Sequence, residues 1–192
     1  MLEFPAQSHM RWRRLEVPGS EEARAFQTAN GWHLSGKLHV NESGVIARLE
    51  YSIKCDVSWR TRSALIVGEA SGQPVRFDLA ADGAGHWTRD GKEAAEVDGA
   101  LDVDLGFTPA TNTLPIRRLN LAVGASAPVR SAWIRFPELR FEPLEQTYTR
   151  ESERNYRYRA LVDGEFFSAL LETDDVGRVL RYGDLWAAEE TP

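Results

Sequence analysis

The chain has 192 residues, 42% hydrophobic and 27% charged, an ordinary balance for a globular protein able to bury a core. Its net charge of −6 and isoelectric point near 5.3 argue against a general nucleic-acid binder, which needs an excess of Lys and Arg to neutralise phosphates. A lone cysteine, Cys55, excludes an intramolecular disulfide, and no stretch approaches the ~20 apolar residues of a membrane-spanning helix.

The first residues, MLEFPAQSHMRWRRLE, contain no apolar run that could act as a signal peptide, so the expected compartment is the cytoplasm. Within them Met10-Arg11-Trp12-Arg13-Arg14 is the best candidate for a basic patch, and it reads as the solvated face of a strand. A short helical turn is expected at Ser20–Arg24, capped by Ser20. Ala23–Ala29 and Trp32–Asn41 flank Asn30-Gly31, the preferred pair for a type I′ hairpin because both residues tolerate positive φ. After a turn at Glu42-Ser43-Gly44, residues 47–59 alternate strictly. Every odd position is apolar or aromatic and every even one polar, which predicts a long strand curling around a core, with room for a bulge.

Strands are then expected at Ser63–Glu69, Val75–Leu79, Gly85–Arg89 and Lys92–Val97, the last two hinged on Asp90-Gly91. Leu101 to Phe107 alternates again, and residues Ile116–Val123 read as one more strand. A Gly-Ala-Ser-Ala-Pro linker at 124–128 precedes Ala132–Leu144, which Pro137 and Pro143 mark as broken or as an edge. Gln146–Arg150, Asn155–Leu161, Glu165–Glu172 and Arg178–Tyr182 complete a meander with turns at Asp163-Gly164 and Asp174–Gly177. A further turn is expected near Gly183–Ala188, and fraying from Ala187 onward. The fold class predicted is all-β: one curved antiparallel β-roll or pseudo-barrel over residues 1–192, built from two meanders with little helix. The half-barrel junction is expected near 124–131.

The densest polar cluster lies in Leu101–Leu119, LDVDLGFTPATNTLPIRRL. Asp102 and Asp104 project from the same side of their strand, about 6.6 Å apart at ~3.3 Å per residue. Thr111-Asn112-Thr113 offers hydrogen-bonding groups to sugar hydroxyls or to its own backbone, and Arg117 and Arg118 offer planar forks for carboxylate, phosphate or vicinal hydroxyls. Two readings stand side by side: a ligand site, or an internal network in which the arginines neutralise the acids. Tyr148, Tyr156, Tyr158 and Tyr182, with Trp59 and Trp186, supply rings that stack on sugars or fill a core. The histidines show no metal-ligand spacing, Cys55 sits in the apolar series of its strand, and no nucleophile elbow or phosphate loop is present. Neither a metal nor a cofactor is expected, and catalysis has no strong witness.

The string DVDLGFTPATNTLPIRRL, together with Tyr51–Ile66 and Gln146–Tyr182, resembles the signature stretches of a bacterial glycolipid-binding family long treated as a domain of unknown function. The resemblance implies a curved β-structure akin to spiral β-rolls and to lipoprotein carriers of the bacterial envelope. It also implies an amphiphilic ligand of glycolipid or fatty-acyl type held in the lumen. Asp102, Asp104, Thr111, Asn112, Thr113, Arg117, Arg118, Tyr148, Tyr156 and Tyr158 are the candidate contacts. The competing readings are an enzyme acting on a sugar or lipid through Asp102 and Asp104, and a non-catalytic structural or interaction domain. A monomer or weak homodimer is expected in either case.

Overall fold

A computed structural model describes residues 3–189. The calls on Met1, Leu2 and the last three residues of the tail lie outside the described residues. Eight strands come first: β1 (Gln7–Arg14), β2 (Gly19–Thr28), β3 (Gly31–Glu42), β4 (Val45–Cys55), β5 (Thr61–Ala70), β6 (Gln73–Ala81), β7 (Trp87–Arg89) and β8 (Lys92–Glu93). Then come β9 (Asp102–Leu105), a short helix α1 (Thr113–Leu119), and a second series: β10 (Ser126–Arg135), β11 (Arg140–Arg150), β12 (Asn155–Val162), β13 (Glu165–Thr173), β14 (Val179–Tyr182) and β15 (Trp186–Ala188).

All fifteen strands form one unclosed sheet in the order β8 to β1, then β15 down to β9. Each series is a meander, and the seam between them is the antiparallel pair β1–β15, with Trp12 opposite Ala188 and Arg14 opposite Trp186. Among the described residues the one parallel pair is β9–β10, linked by α1, with Asp104 opposite Trp133. The sheet curls until edge strand β9 meets the start of β5, where Thr61 N–H donates to the Leu101 carbonyl (2.9 Å). Edge amides left over on β9 are satisfied by side chains: Val103 N–H donates to Thr61 Oγ1 (3.0 Å) and Leu105 N–H to Thr111 Oγ1 (3.3 Å). An edge so capped offers little to an intruding strand.

Alternation along the strands sorts side chains into two apolar clusters. One fills the first meander and includes Leu49, Ile53, Ile66, Leu79 and Trp87, closed by Phe107 and Leu114 from the segment after β9. The other lines the second meander: Ile116, Val129, Leu144, Tyr148, Tyr156, Leu171 and Val179. Phe107 and Leu114 therefore pack into the core of the first half of the roll. No helix among the described residues is long and apolar enough to cross a membrane.

Turn chemistry follows the sequence closely. Ser43-Gly44, Ser71-Gly72, Asp90-Gly91 and Asp163-Gly164 all hold two consecutive positive φ values between paired strands, the geometry of type I′ hairpins. The first hairpin differs from expectation. Its two loop residues are Ala29-Asn30, since Thr28 already pairs with Gly31. Gly31 sits at φ +144°, where an added Cβ would lie 2.1 Å from the Cys55 carbonyl oxygen, so glycine is required by the neighbouring strand rather than by the turn.

Other expectations need correction. Ser20–Arg24 is part of β2 and not a helical turn, because Glu21, Ala23 and Ala25 point inward in period two. The long strand stops at Cys55, where Asp56 Oδ1 accepts from the Ser58 and Arg60 amides and turns the chain. Residues 116–123 are not a strand: α1 runs to Leu119 and is capped by Asn120, which adopts the left-handed conformation. Pro115 fits there because first-turn positions have no intrahelical acceptor to lose. Arg14 is buried rather than solvated, and Ala187 and Ala188 pair with β1 instead of fraying.

Candidate functional site

The inner face of the second meander encloses an open cavity of about 520 Å³. The end of β9 and the segment after it supply its floor (Asp104, Leu105, Gly106, Thr108 and Asn112), and β10–β12 give Trp133, Leu144, Tyr158 and Ala160. The far wall is Phe167, Tyr182 and Trp186, and the mouth is rimmed by Arg135, Pro137, Glu138, Asp163, Glu165 and Phe166. Gly106 lets the wall approach the floor: a Cβ there would stand 2.8 Å from Trp133 Nε1. Tyr158, Phe167 and Tyr182 form an edge-to-face trio with centroids 5.8–6.3 Å apart, a favourable arrangement for aromatic quadrupoles.

At the floor, Gln146 Nε2 donates to Asp104 Oδ2, and Gln146 Oε1 accepts from Ser131 Oγ (3.1 Å). Asp104 is deeply set yet keeps some accessible surface. Burial and the nearby Asp102 charge push its carboxyl up to about 6, against the pull of the Gln146 hydrogen bond. Tyr148 donates to Asn112 Oδ1 (2.8 Å), and Asn112 Nδ2 donates to the Pro109 carbonyl (3.3 Å).

Of the ten residues proposed from sequence, Asp104, Asn112 and Tyr158 line the cavity. Asp102 is fully buried behind it and is clamped by Arg118, whose Nε lies 3.0 and 3.1 Å from the carboxylate oxygens and Nη2 2.5 Å from Oδ2. Burial raises the Asp102 carboxyl, and the guanidinium pulls it partly back. Only one of the two acids thus reaches the lumen. Thr111 caps the β9 edge, and Thr113 is buried away from the cavity beside Phe4 and Met10. Arg117 donates to the Val176 carbonyl (3.2 Å) and lies over the Phe4 and Trp59 rings at 5.5 Å. Tyr148 stands just behind the floor, and Tyr156 is core under Arg150.

Sequence reasoning passed over Trp133 and Phe167, which line the cavity, and Arg14, a buried guanidinium at its edge that pairs with Glu42 (2.7 Å) and lies over Trp186 at 5.2 Å. It also passed over Glu21. That carboxylate accepts on Oε1 from Tyr51 (2.6 Å) and from Thr108 (2.7 Å), while its buried Oε2 has no partner among the described residues. The phase was there to read, since Glu21 is in step with inward Ala23 and Ala25.

Asn112→Ala is expected to cost about 1–3 kcal/mol in urea-unfolding measurements, because the buried Tyr148 hydroxyl loses its acceptor. Pairing the change with Tyr148→Phe should recover much of that loss.

A continuous spiral sheet with a packed first half and an open, aromatic-lined second half defines a β-roll with a lumenal pocket. The profile of a family described as "Putative glycolipid-binding" matches residues 9–188, and the chain belongs to that family. It is similar to a crystal structure of a DUF1089 family protein from Pseudomonas aeruginosa, at 34% identity and a TM-score of 0.77, over 87% of this chain and 91% of the other. No curated protein matches the chain.

Proposed function

We propose that this protein binds one amphiphilic small molecule, glycolipid-like or fatty-acyl, in the lumen of its second meander. The observation that carries the reading is the cavity itself. Its ~520 Å³ falls in the ~300–1,000 Å³ range of small-molecule sites, and its lining is amphiphilic, with apolar and aromatic side chains such as Leu144, Ala160 and Phe167 set among charged and polar ones. Buried chain methylenes contribute ~0.8 kcal/mol each, so a short alkyl segment against Leu144, Ala160 and Phe167 would supply most of the affinity. The family description points to the same class of ligand.

Trp133 and Trp186 line the cavity, so intrinsic fluorescence reports on its occupancy. Octyl β-D-glucoside and octanoate, each titrated below its micelle threshold, are expected to give a saturable change with at least one of the two. Val162→Trp, on the inner face near the mouth, should weaken that binding by about tenfold, or ~1.4 kcal/mol, with the melting temperature retained. Equal binding by the blocked variant would dispose of the reading, as would the absence of a saturable change in the parent protein with these two probes and with octylamine alike.

A further inference from the structure

Charge is distributed unevenly around this cavity. Its lining holds four carboxylates (Asp104, Glu138, Asp163 and Glu165) and two arginines. Both arginines are already committed: Arg135 to Asp163 (2.5 Å), Glu138 (3.3 Å) and Glu142 (3.6 Å), and Arg14 to Glu42. At the floor, Asp104 has no cation within ion-pairing distance among the described residues, and Gln146 is its one hydrogen-bond donor there, on Oδ2. The neighbouring Asp102 already has Arg118. Asp104 Oδ1 is thus left for something that enters the cavity.

Exposure runs in a gradient from that floor to the rim. Tyr158 and Asn112 are about 4–5% exposed, whereas Phe167 is 37% and Phe166 84% exposed. Phe167 pairs with Ala160 on the inner face, and Phe166 with Leu161 on the outer one. The end with the free acceptor is therefore deep, and the end with spare apolar surface is at the mouth. Tyr158 and Tyr182 line the cavity together with Asp104, so a cation drawn to that carboxylate enters a space walled by aromatic rings.

We infer that the ligand enters head first and that its head carries a protonated amine, paired with Asp104 against the Tyr158 and Tyr182 rings, while its alkyl part leaves past Phe167 and Phe166. The inference rests on the amphiphile reading and adds the charge and direction of the ligand. An uncompensated buried carboxylate is costly, and an ammonium group relieves that cost while a neutral sugar does so only through its hydroxyls. An amino sugar and a simple alkylammonium share this chemistry.

Four probes with the same eight-carbon tail separate the outcomes by calorimetry on the full chain at pH 7: octylamine, octyl β-D-glucosaminide, octyl β-D-glucoside and octanoate. At least one of the two amines should bind about tenfold more tightly than the glucoside, with octanoate weakest. The amine that does so distinguishes an alkylammonium from an amino-sugar head. Asp104→Asn, whose amide oxygen still accepts from Gln146, should abolish the preference.

Lowering the pH to 5 should abolish it in the parent protein, because Asp104 protonates. Other groups face the ligand: Glu138, Asp163, Glu165 and Arg135 at the mouth, Arg14 at the buried edge, and Tyr158 and Tyr182 within, with Tyr148 behind the floor. The ion pair of Asp102 with Arg118 stands behind the floor, and Glu21 behind Thr108. The pH effect is therefore assigned to Asp104 only if it is missing from Asp104→Asn. Should that variant fail to fold, retention of the amine preference at pH 5 in the parent protein overturns the inference. Equal affinity for glucoside and amines, or a preference that survives Asp104→Asn, overturns the cationic head and leaves the amphiphile reading intact. No binding of any probe overturns both.

Discussion

Arg118→Ala should lower the unfolding free energy by about 3–5 kcal/mol, a large share of the ~5–15 kcal/mol typical of a domain. Asp102 is fully buried on β9, and three contacts from the Arg118 guanidinium are what hold its charge there. Removing the arginine strands that carboxylate, which must then protonate or drag β9 out of register. The same pair ties α1 to the strand it follows, so the loss should reach the floor of the cavity as well. Arg118→Lys should recover little, since one ammonium cannot reproduce a two-pronged contact. The double change Asp102→Leu with Arg118→Met should cost much less than the sum of the single changes, because packed apolar groups often replace a buried ion pair with small loss. Urea titration of the four variants tests this. A loss under about 1 kcal/mol for Arg118→Ala would show that the pair is relaxed by water.

The second large effect is a dependence on pH opposite to ordinary acid unfolding. Burial lifts the Glu21 carboxyl from 4.5 to about 7, against the pull of the Tyr51 and Thr108 hydrogen bonds. With the folded value above the unfolded one, the contribution to stability is fully present below pH 4.5 and is lost as pH rises through 7. At 1.36 kcal/mol per unit, the shift corresponds to about 3 kcal/mol between the two ends of that window. Glu21→Gln keeps an acceptor for Tyr51 and Thr108 but carries no charge. The variant should match the parent protein near pH 5 and exceed it by about 1–3 kcal/mol at pH 8. Asp104, raised by burial as well, should leave a residual slope of the same sign in the variant. Chemical unfolding at both pH values provides the check, and a parent protein more stable at pH 8 than at pH 5 would contradict the assignment.

How far the sequence was legible depends on the range of the interactions involved. Turns with Gly in the second position were readable because two consecutive positive φ values restrict the choice of residue, as at Asp90-Gly91 and Asp163-Gly164. The long alternation of β4 was readable because one face of it is core. Helix α1 was not, since its seven residues span barely two turns and the spacing of Leu119, Leu121 and Val123 imitates a strand. The polar cluster in LDVDLGFTPATNTLPIRRL is visible in the sequence, but how it divides between cavity wall and scaffold is a matter of register. Asp102 meets Arg118 and Asp104 meets Gln146 because of where β9 stands against α1 and β11. The cavity is a property of strands far apart in the chain, and Trp133 or Phe167 carries no local mark of belonging to it. Glu21 was missed for a related reason: its partner Tyr51 lies two strands away and reaches it across Gly36, where any Cβ would meet the phenol ring at 2.5–2.6 Å.

The seam between β1 and β15 has a kinetic meaning. Every other pairing in the sheet joins strands consecutive in the chain, so each meander grows by closing short loops. The seam alone brings together segments from opposite ends of the described chain, and it does so through only three paired positions, with the Trp12 indole donating to the Val179 carbonyl (2.8 Å) and Arg14 laid over Trp186. Loop-closure entropy therefore weighs most on this seam, with the docking of β9 beside β5 as the other long-range closure, and without the seam both halves carry an unprotected edge. Substitutions in this seam are therefore expected to slow folding and promote misassembly more than substitutions in the cavity wall, which stopped-flow refolding would show.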